Sequence, residues 1–104
     1  MTVLAFVDDL MDRSRISAAF PGVTYTRIVP AEPDAELVIV DLARYAERIK
    51  PIRVALPHAQ VVAYGPHVEW DARVIALREG ADMVLSRNAF FRDPQTAIQT
   101  NGQG

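Results

Sequence analysis

Residues 2–7 (TVLAFV) and 37–40 (LVIV) form nearly unbroken apolar runs, and each leads straight into aspartate: Asp8 and Asp9 after the first, Asp41 after the second. A strand with water on one side alternates apolar and polar residues. A strand without polar positions is covered on both faces, the pattern of an internal strand in a parallel sheet.

The remaining segments suit that sheet. Residues 9–20 are helix-compatible, with Ile16, Ala19 and Phe20 as an apolar cluster, and Pro21-Gly22 stops them. Residues 23–29 (VTYTRIV) alternate and predict a half-buried edge strand. Residues 30–34 (PAEPD) hold two prolines and are too short for a full helix, so one sheet face should be thinly covered and open to a homodimer or another protein partner. Residues 42–56 predict a helix bent or divided at Pro51, and 60–64 (QVVAY) a fourth strand. Residues 69–79 predict a helix with Trp70, Val74 and Leu77 on one face, turned to the core, and ending at Gly80; the alternative is Trp70 as an exposed interface anchor, with association through this helix and the surface near strands 4 and 5. Residues 81–85 are a fifth strand, and 89–100 a weak helix that Asp93-Pro94 can restart. The expected architecture is one domain over 1–100, with a disordered tail at 101–104. It is a flavodoxin-like α/β three-layer sandwich with a five-stranded parallel sheet of order 2-1-3-4-5 and the second helix short or missing. Ligands bind such sheets beyond the carboxyl ends of the strands, near the switch point between strands 1 and 3.

Composition removes several functions. The 104 residues contain no cysteine, which excludes disulfides, thiolate nucleophiles and cysteine-based metal sites. Eleven Lys and Arg stand against thirteen Asp and Glu, so no nucleic-acid footprint is present. No run is long and apolar enough for a membrane span, and the N-terminal stretch has no basic region before its apolar residues, so a cytoplasmic protein is expected. There is no phosphate-cradling glycine loop, nucleophile elbow or histidine pair at metal-ligand spacing, and no enzyme activity is expected.

The strand ends gather the chemistry on one edge: Asp8 and Asp9, Asp41, then Gly65-Pro66-His67, then Ser86 and Arg87. Carboxylates placed together repel unless a cation joins them or a pKa rises, and oxygen ligands of this kind suit Mg²⁺ on Asp8, Asp9 and Asp41. The plainer reading of the aspartates is solvation or helix capping. Ser86, Arg87 and His67 are candidates for an anion site. Arg87 is equally a candidate to pair with Asp9 or Asp41 and replace a metal altogether, and His67 to be an ordinary surface residue. Of the adjacent Phe90 and Phe91, one should face the core and the other a partner.

The pieces Leu4-Ala5-Phe6-Val7-Asp8-Asp9, Asp34-Ala35-Glu36-Leu37-Val38-Ile39-Val40-Asp41-Leu42 and Gly80-Ala81-Asp82-Met83-Val84-Leu85-Ser86-Arg87 resemble the response-regulator receiver family in order and spacing. The resemblance implies that Asp8 and Asp9 match the acidic pair that holds Mg²⁺, and Asp41 the phosphoryl-accepting aspartate. The chain departs from the family where Gly65 stands in place of a Thr or Ser, and Arg87-Asn88 in place of Lys-Pro. The pieces Asp8-Asp9-Leu10, Arg15-Ile16, Val40-Asp41-Leu42, Val61-Val62-Ala63-Tyr64-Gly65-Pro66-His67-Val68 and Leu85-Ser86-Arg87-Asn88-Ala89-Phe90 are also similar to those of small, uncharacterised receiver-like bacterial proteins. The implied function is a signalling or protein-interaction domain with an incomplete phosphorylation switch and no resident cofactor. The alternatives are an anion-binding module at His67, Ser86 and Arg87, or an atypical Mg²⁺-dependent phosphoreceiver using Asp41. Arg87 is expected to neutralise the acidic pocket, so that Arg87→Ala would strengthen cation binding while lowering stability, because it leaves the carboxylates unpaired.

Overall fold

The side-chain alternation of a strand splits each apolar run between two layers. In the computed structural model, which describes residues 1–31, 34–65 and 70–99, Leu4, Phe6, Val38, Val40, Val61 and Ala63 face one side of the sheet. Val3, Ala5, Val7, Leu37, Ile39, Val62 and Tyr64 face the other. The strands are β1 (Val3–Phe6), β2 (Thr24–Tyr25), β3 (Leu37–Asp41), β4 (Gln60–Gly65) and β5 (Met83–Ser86), all parallel in the order β2-β1-β3-β4-β5. This is the expected flavodoxin-like topology. Residues 101–104, expected as a tail, lie outside the described residues.

On one face lie α1 (Leu10–Ala19), α5 (Arg87–Arg92) and α6 (Pro94–Gln99), which bury Ile16, Phe90 and Ile98. On the other lie α2 (Leu42–Tyr45), a 3-10 turn (Ala46–Arg48), α3 (Ile49–Ala55) and α4 (Trp70–Glu79), which bury Tyr45, Ile49, Ile52 and Ala76. Asp93 accepts from the Thr96 amide at 3.3 Å and so restarts the last helix, with Pro94 in its first position.

Four expectations are corrected. The edge strand is two residues long, not seven: the Thr26 amide makes the last bond to β1, donating to the Ala5 carbonyl at 3.0 Å, and the Thr26 hydroxyl then donates to the Ile28 carbonyl at 2.9 Å and turns the chain away. The expected bare face is closed by the chain itself, since Val29, Ala35 and Leu42 pack on it and Phe6 beneath is fully buried. The physical ground for a dimer at that face is therefore removed. The break in 42–56 falls at the 3-10 turn, and Pro51 sits in the first turn of α3, where a missing N–H costs no hydrogen bond.

The fourth correction is α4. Trp70 and Leu77 are 74% and 44% exposed, and small Ala76 is the residue driven into the core. The helix ends at a tightly packed glycine, as expected. Gly80 has φ +128°, and a side chain there would place its Cβ 2.6 Å from that of Arg53. The Arg53 guanidinium donates to the Gly80 carbonyl at 2.8 and 3.0 Å and to Asp82 at 2.6 Å. This clamp ties the end of α4 to α3, and it is Ala76 that the helix turns to the core. Trp70→Ala should therefore change unfolding free energy by less than about 0.5 kcal/mol, where burial would make the cost about 3 kcal/mol or more. Urea unfolding measures this, and acrylamide should quench Trp70 emission in the folded protein almost as freely as in the unfolded chain.

Candidate functional site

The carboxyl ends of β1, β3 and β5 open into a cleft of about 370 Å³ lined by Asp8, Asp9, Asp12, Asp41, Arg44 and Arg87 among others. Three of the expected polar residues are helix caps. Asp9 accepts from the Asp12 amide at 2.9 Å and starts α1. Asp41 accepts from the Ala43 amide at 3.0 Å and starts α2. Ser86 accepts from the Ala89 amide at 3.1 Å and starts α5. His67 lies outside the described residues.

Arg87 departs from both expected partners. Its guanidinium grips Asp12 with two bonds of 2.6 Å, and Tyr64 donates its hydroxyl to the same carboxylate at 2.9 Å. Asp12 is 1% exposed. A buried carboxylate is tolerated only when charge and hydrogen bonds replace its water, and this one has both. The Arg87 bonds, helped by Tyr64, hold Asp12 below the usual carboxylate range. Burial and the bond to Asp12 push the Tyr64 hydroxyl well up. The guanidinium also lies 5.8 Å and 5.2 Å from the Tyr64 and Phe91 ring centres, and Phe90 stacks on Tyr64 at 5.0 Å. Phe91 is thereby half-buried by the network rather than offered to a partner.

Sequence reasoning missed Asp12. The signal was its helical position: it precedes Ile16 by four residues and Phe20 by eight, on the stripe that faces the sheet. A charge at the head of a buried stripe demands a partner from the opposing strands.

Nor is Arg87 the one cation at this edge. Asp8 accepts from the Tyr45 hydroxyl at 2.6 Å, with Arg27 at 3.6 Å and Arg13 and Arg44 each at 4.0 Å. The Tyr45 bond leads, and the arginines add, in holding Asp8 below its ordinary pKa. The donor set does not suit Mg²⁺, which wants about six oxygens in near-octahedral array. Asp12 is committed to Arg87, Asp8 is ringed by guanidinium groups, and Asp9 and Asp41 cap helices. Among the described residues, no three acidic, histidine or cysteine side chains gather closely enough to hold an ion. Asp8, Asp9 and Asp41 therefore line one cleft without converging closely on a single point. Gly65, the last residue of β4, pairs with Ser86 and brings no hydroxyl to the edge.

Asp41 is 7% exposed and has its cap bond but no ion pair within 4.0 Å among the described residues. Burial raises its pKa, the cap bond opposes, and the Asp12 charge adds to the rise. A carboxyl group with a raised folded pKa favours folding while protonated, and that contribution is lost as pH rises through the folded value. Asn keeps the cap without the charge. Asp41→Asn should therefore raise the melting temperature at pH 7, and the gain should shrink as pH falls toward the ordinary carboxylate pKa, as calorimetry over that range would read.

No family model and no curated protein matches this chain in sequence. Solved structures match it throughout. A response regulator protein from Burkholderia pseudomallei, determined with a phosphorylated aspartic acid, calcium ion and citrate, is 20% identical, with TM-score 0.82 over 98% of this chain and 68% of that one. A response regulator receiver domain protein from Clostridium thermocellum is 18% identical, with TM-score 0.77 over 96% and 92% of the two chains. The beryllofluoride-activated NtrC4 receiver domain dimer is 18% identical, with TM-score 0.74 over 96% and 98%. With the strand order and the acidic edge already established, these matches give the chain the fold of the response-regulator receiver domains.

Proposed function

We propose that this protein is a receiver-like signalling domain that acts by associating with other proteins and whose phosphorylation switch is incomplete. The observation that carries this reading is the commitment of Arg87 to Asp12. The basic residue at the end of β5 is held by two 2.6 Å bonds to a buried carboxylate and is not free to meet a group on Asp41. Phosphoryl transfer relies on cations placed where charge gathers on the transferred group. Here the guanidinium at the end of β5 is bound to Asp12, and among the described residues no cation lies within 4.0 Å of Asp41. The absence of a hydroxyl at Gly65 and the helix-capping role of Ser86 support the same reading.

Arg87→Ala then has a different consequence from the one expected of the sequence. It would strand the charge of Asp12 rather than release Asp9 or Asp41 to a cation. The anion-module reading is opposed by the cleft walls, where Asp8, Asp9, Asp12 and Asp41 outnumber Arg44 and Arg87. Association is supported by α4, which presents Trp70, Ile75 and Leu77 to solvent at 74%, 55% and 44% exposure. No catalytic role is assigned to any residue.

Incubation with acetyl phosphate and Mg²⁺, followed by intact-protein mass spectrometry, tests the proposal. No phosphoryl adduct should accumulate, and Mg²⁺ should cause no saturable shifts in the amide resonances of residues 8–12 and 41. A stable adduct that disappears in Asp41→Asn would establish a working phosphoreceiver and overturn the reading.

A further inference from the structure

Asp8 carries one negative charge, and three guanidinium groups lie within 4.0 Å of it: Arg13, Arg27 and Arg44. Arg13 is spent within the fold. It donates to the Val7 carbonyl at 2.6 Å, and its guanidinium carbon lies 4.7 Å from the centre of the Tyr25 ring. Arg27 and Arg44 differ. Their side chains are 76% and 66% exposed, they approach Asp8 only at 3.6 and 4.0 Å, and among the described residues neither donates a hydrogen bond. Each guanidinium offers five N–H donors in a fixed fork. At this point three guanidinium groups thus share one carboxylate, Asp8, and the two exposed ones keep donors for a ligand, on a chain whose formal net charge is −2.

The presentation is built. Arg48 donates to the Arg27 carbonyl at 3.2 Å, tying the loop after β2 to the 3-10 turn after α2. Thr26 pins the same loop: its hydroxyl oxygen accepts from the Ile28 amide at 3.3 Å and donates to the Ile28 carbonyl at 2.9 Å. Beside Arg27, Ile28 stands 68% exposed. A pre-ordered loop loses little freedom on binding.

We infer that the arginine edge formed by Arg27, Arg44 and Arg48, with Ile28 beside it, docks an acidic segment of a protein partner. Charge complementarity selects the class. A compact dianion would have to sit against Asp8, which repels it, whereas an extended segment can space its carboxylates over Arg27 and Arg44 and avoid that point. The acidic balance of the whole chain disfavours a long polyanion such as nucleic acid. Ile28 suits an apolar residue interleaved with the acids. This surface adjoins the acidic cleft without depending on whether Asp41 accepts a phosphoryl group, and its test leaves Asp41 untouched, so the two proposals fail separately.

The test is a titration of the full chain with a short fluorescein-labelled glutamate-rich peptide, read by anisotropy at low salt. Arg27→Glu with Arg44→Glu should weaken binding at least about tenfold. Arg78→Glu with Arg92→Glu makes the same net-charge change at exposed positions on other helices and should leave binding nearly unchanged. Asp8→Asn, which frees the guanidinium groups, should tighten it. Circular dichroism checks each variant's fold, and Arg27→Gln with Arg44→Gln carries the comparison where reversal perturbs it. Equal losses in the two charge-reversed proteins, equal affinity for single-stranded DNA of matching charge, or no binding up to about 1 mM peptide would overturn the inference.

Discussion

The contact on which the rest of this site depends is the buried bridge between Asp12 and Arg87. It joins the first turn of α1 to the start of α5, and Tyr64 of β4 closes it from below. Burying a carboxylate costs several kcal/mol in lost hydration, and one ordinary ion pair seldom repays it. Here two parallel bonds, a tyrosine hydroxyl and aromatic rings around the guanidinium act together. With the bridge in place, the cation at the end of β5 belongs to the helical layer rather than to the open edge of the sheet.

That allocation organises the neighbouring charges. Asp41 is left under its helix with a capping bond and a raised pKa, close enough to Asp12 to feel its charge. Asp8 gathers its own cations from α1, from the loop after β2 and from α2. The edge thus holds two ion-paired clusters, one at Asp12 and an arginine-rich one at Asp8, rather than one acidic pocket awaiting an ion. A receiver fold wired in this way retains its shape and its surfaces, which is why association is the function proposed for it.

The sheet was legible because its cause is local. Runs such as LVIV admit few environments, and each ends where a helix cap is needed. The residue types of the site were legible for the same reason: Asp8, Asp9, Asp41, Ser86 and Arg87 follow the strands directly. Their pairings were not. Arg87 can reach several carboxylates from its place in the chain, and the choice of Asp12 depends on how α1 is turned and on where Tyr64 puts its hydroxyl. Trp70 was misread for a related reason: periodicity groups the apolar residues of a helix, but tertiary packing decides which of them meets the sheet, and here it is Ala76. The edge strand was overestimated because β-branched residues continue past Thr26, whose amide makes the last ladder bond and whose side chain then turns the chain.

The central claim is that Asp12, and no other carboxylate, holds Arg87. A double-mutant cycle of Asp12→Ala and Arg87→Ala, measured by urea unfolding at pH 7, tests it most directly. Because Arg87 is partly exposed, each single change should cost about 2–4 kcal/mol, somewhat below the value for a fully buried pair. The double variant should cost little more than either single one, a coupling of about 2 kcal/mol or more. Additive losses, with Arg87→Ala equally damaging in the absence of Asp12, would show that the guanidinium serves another partner and would contradict the account.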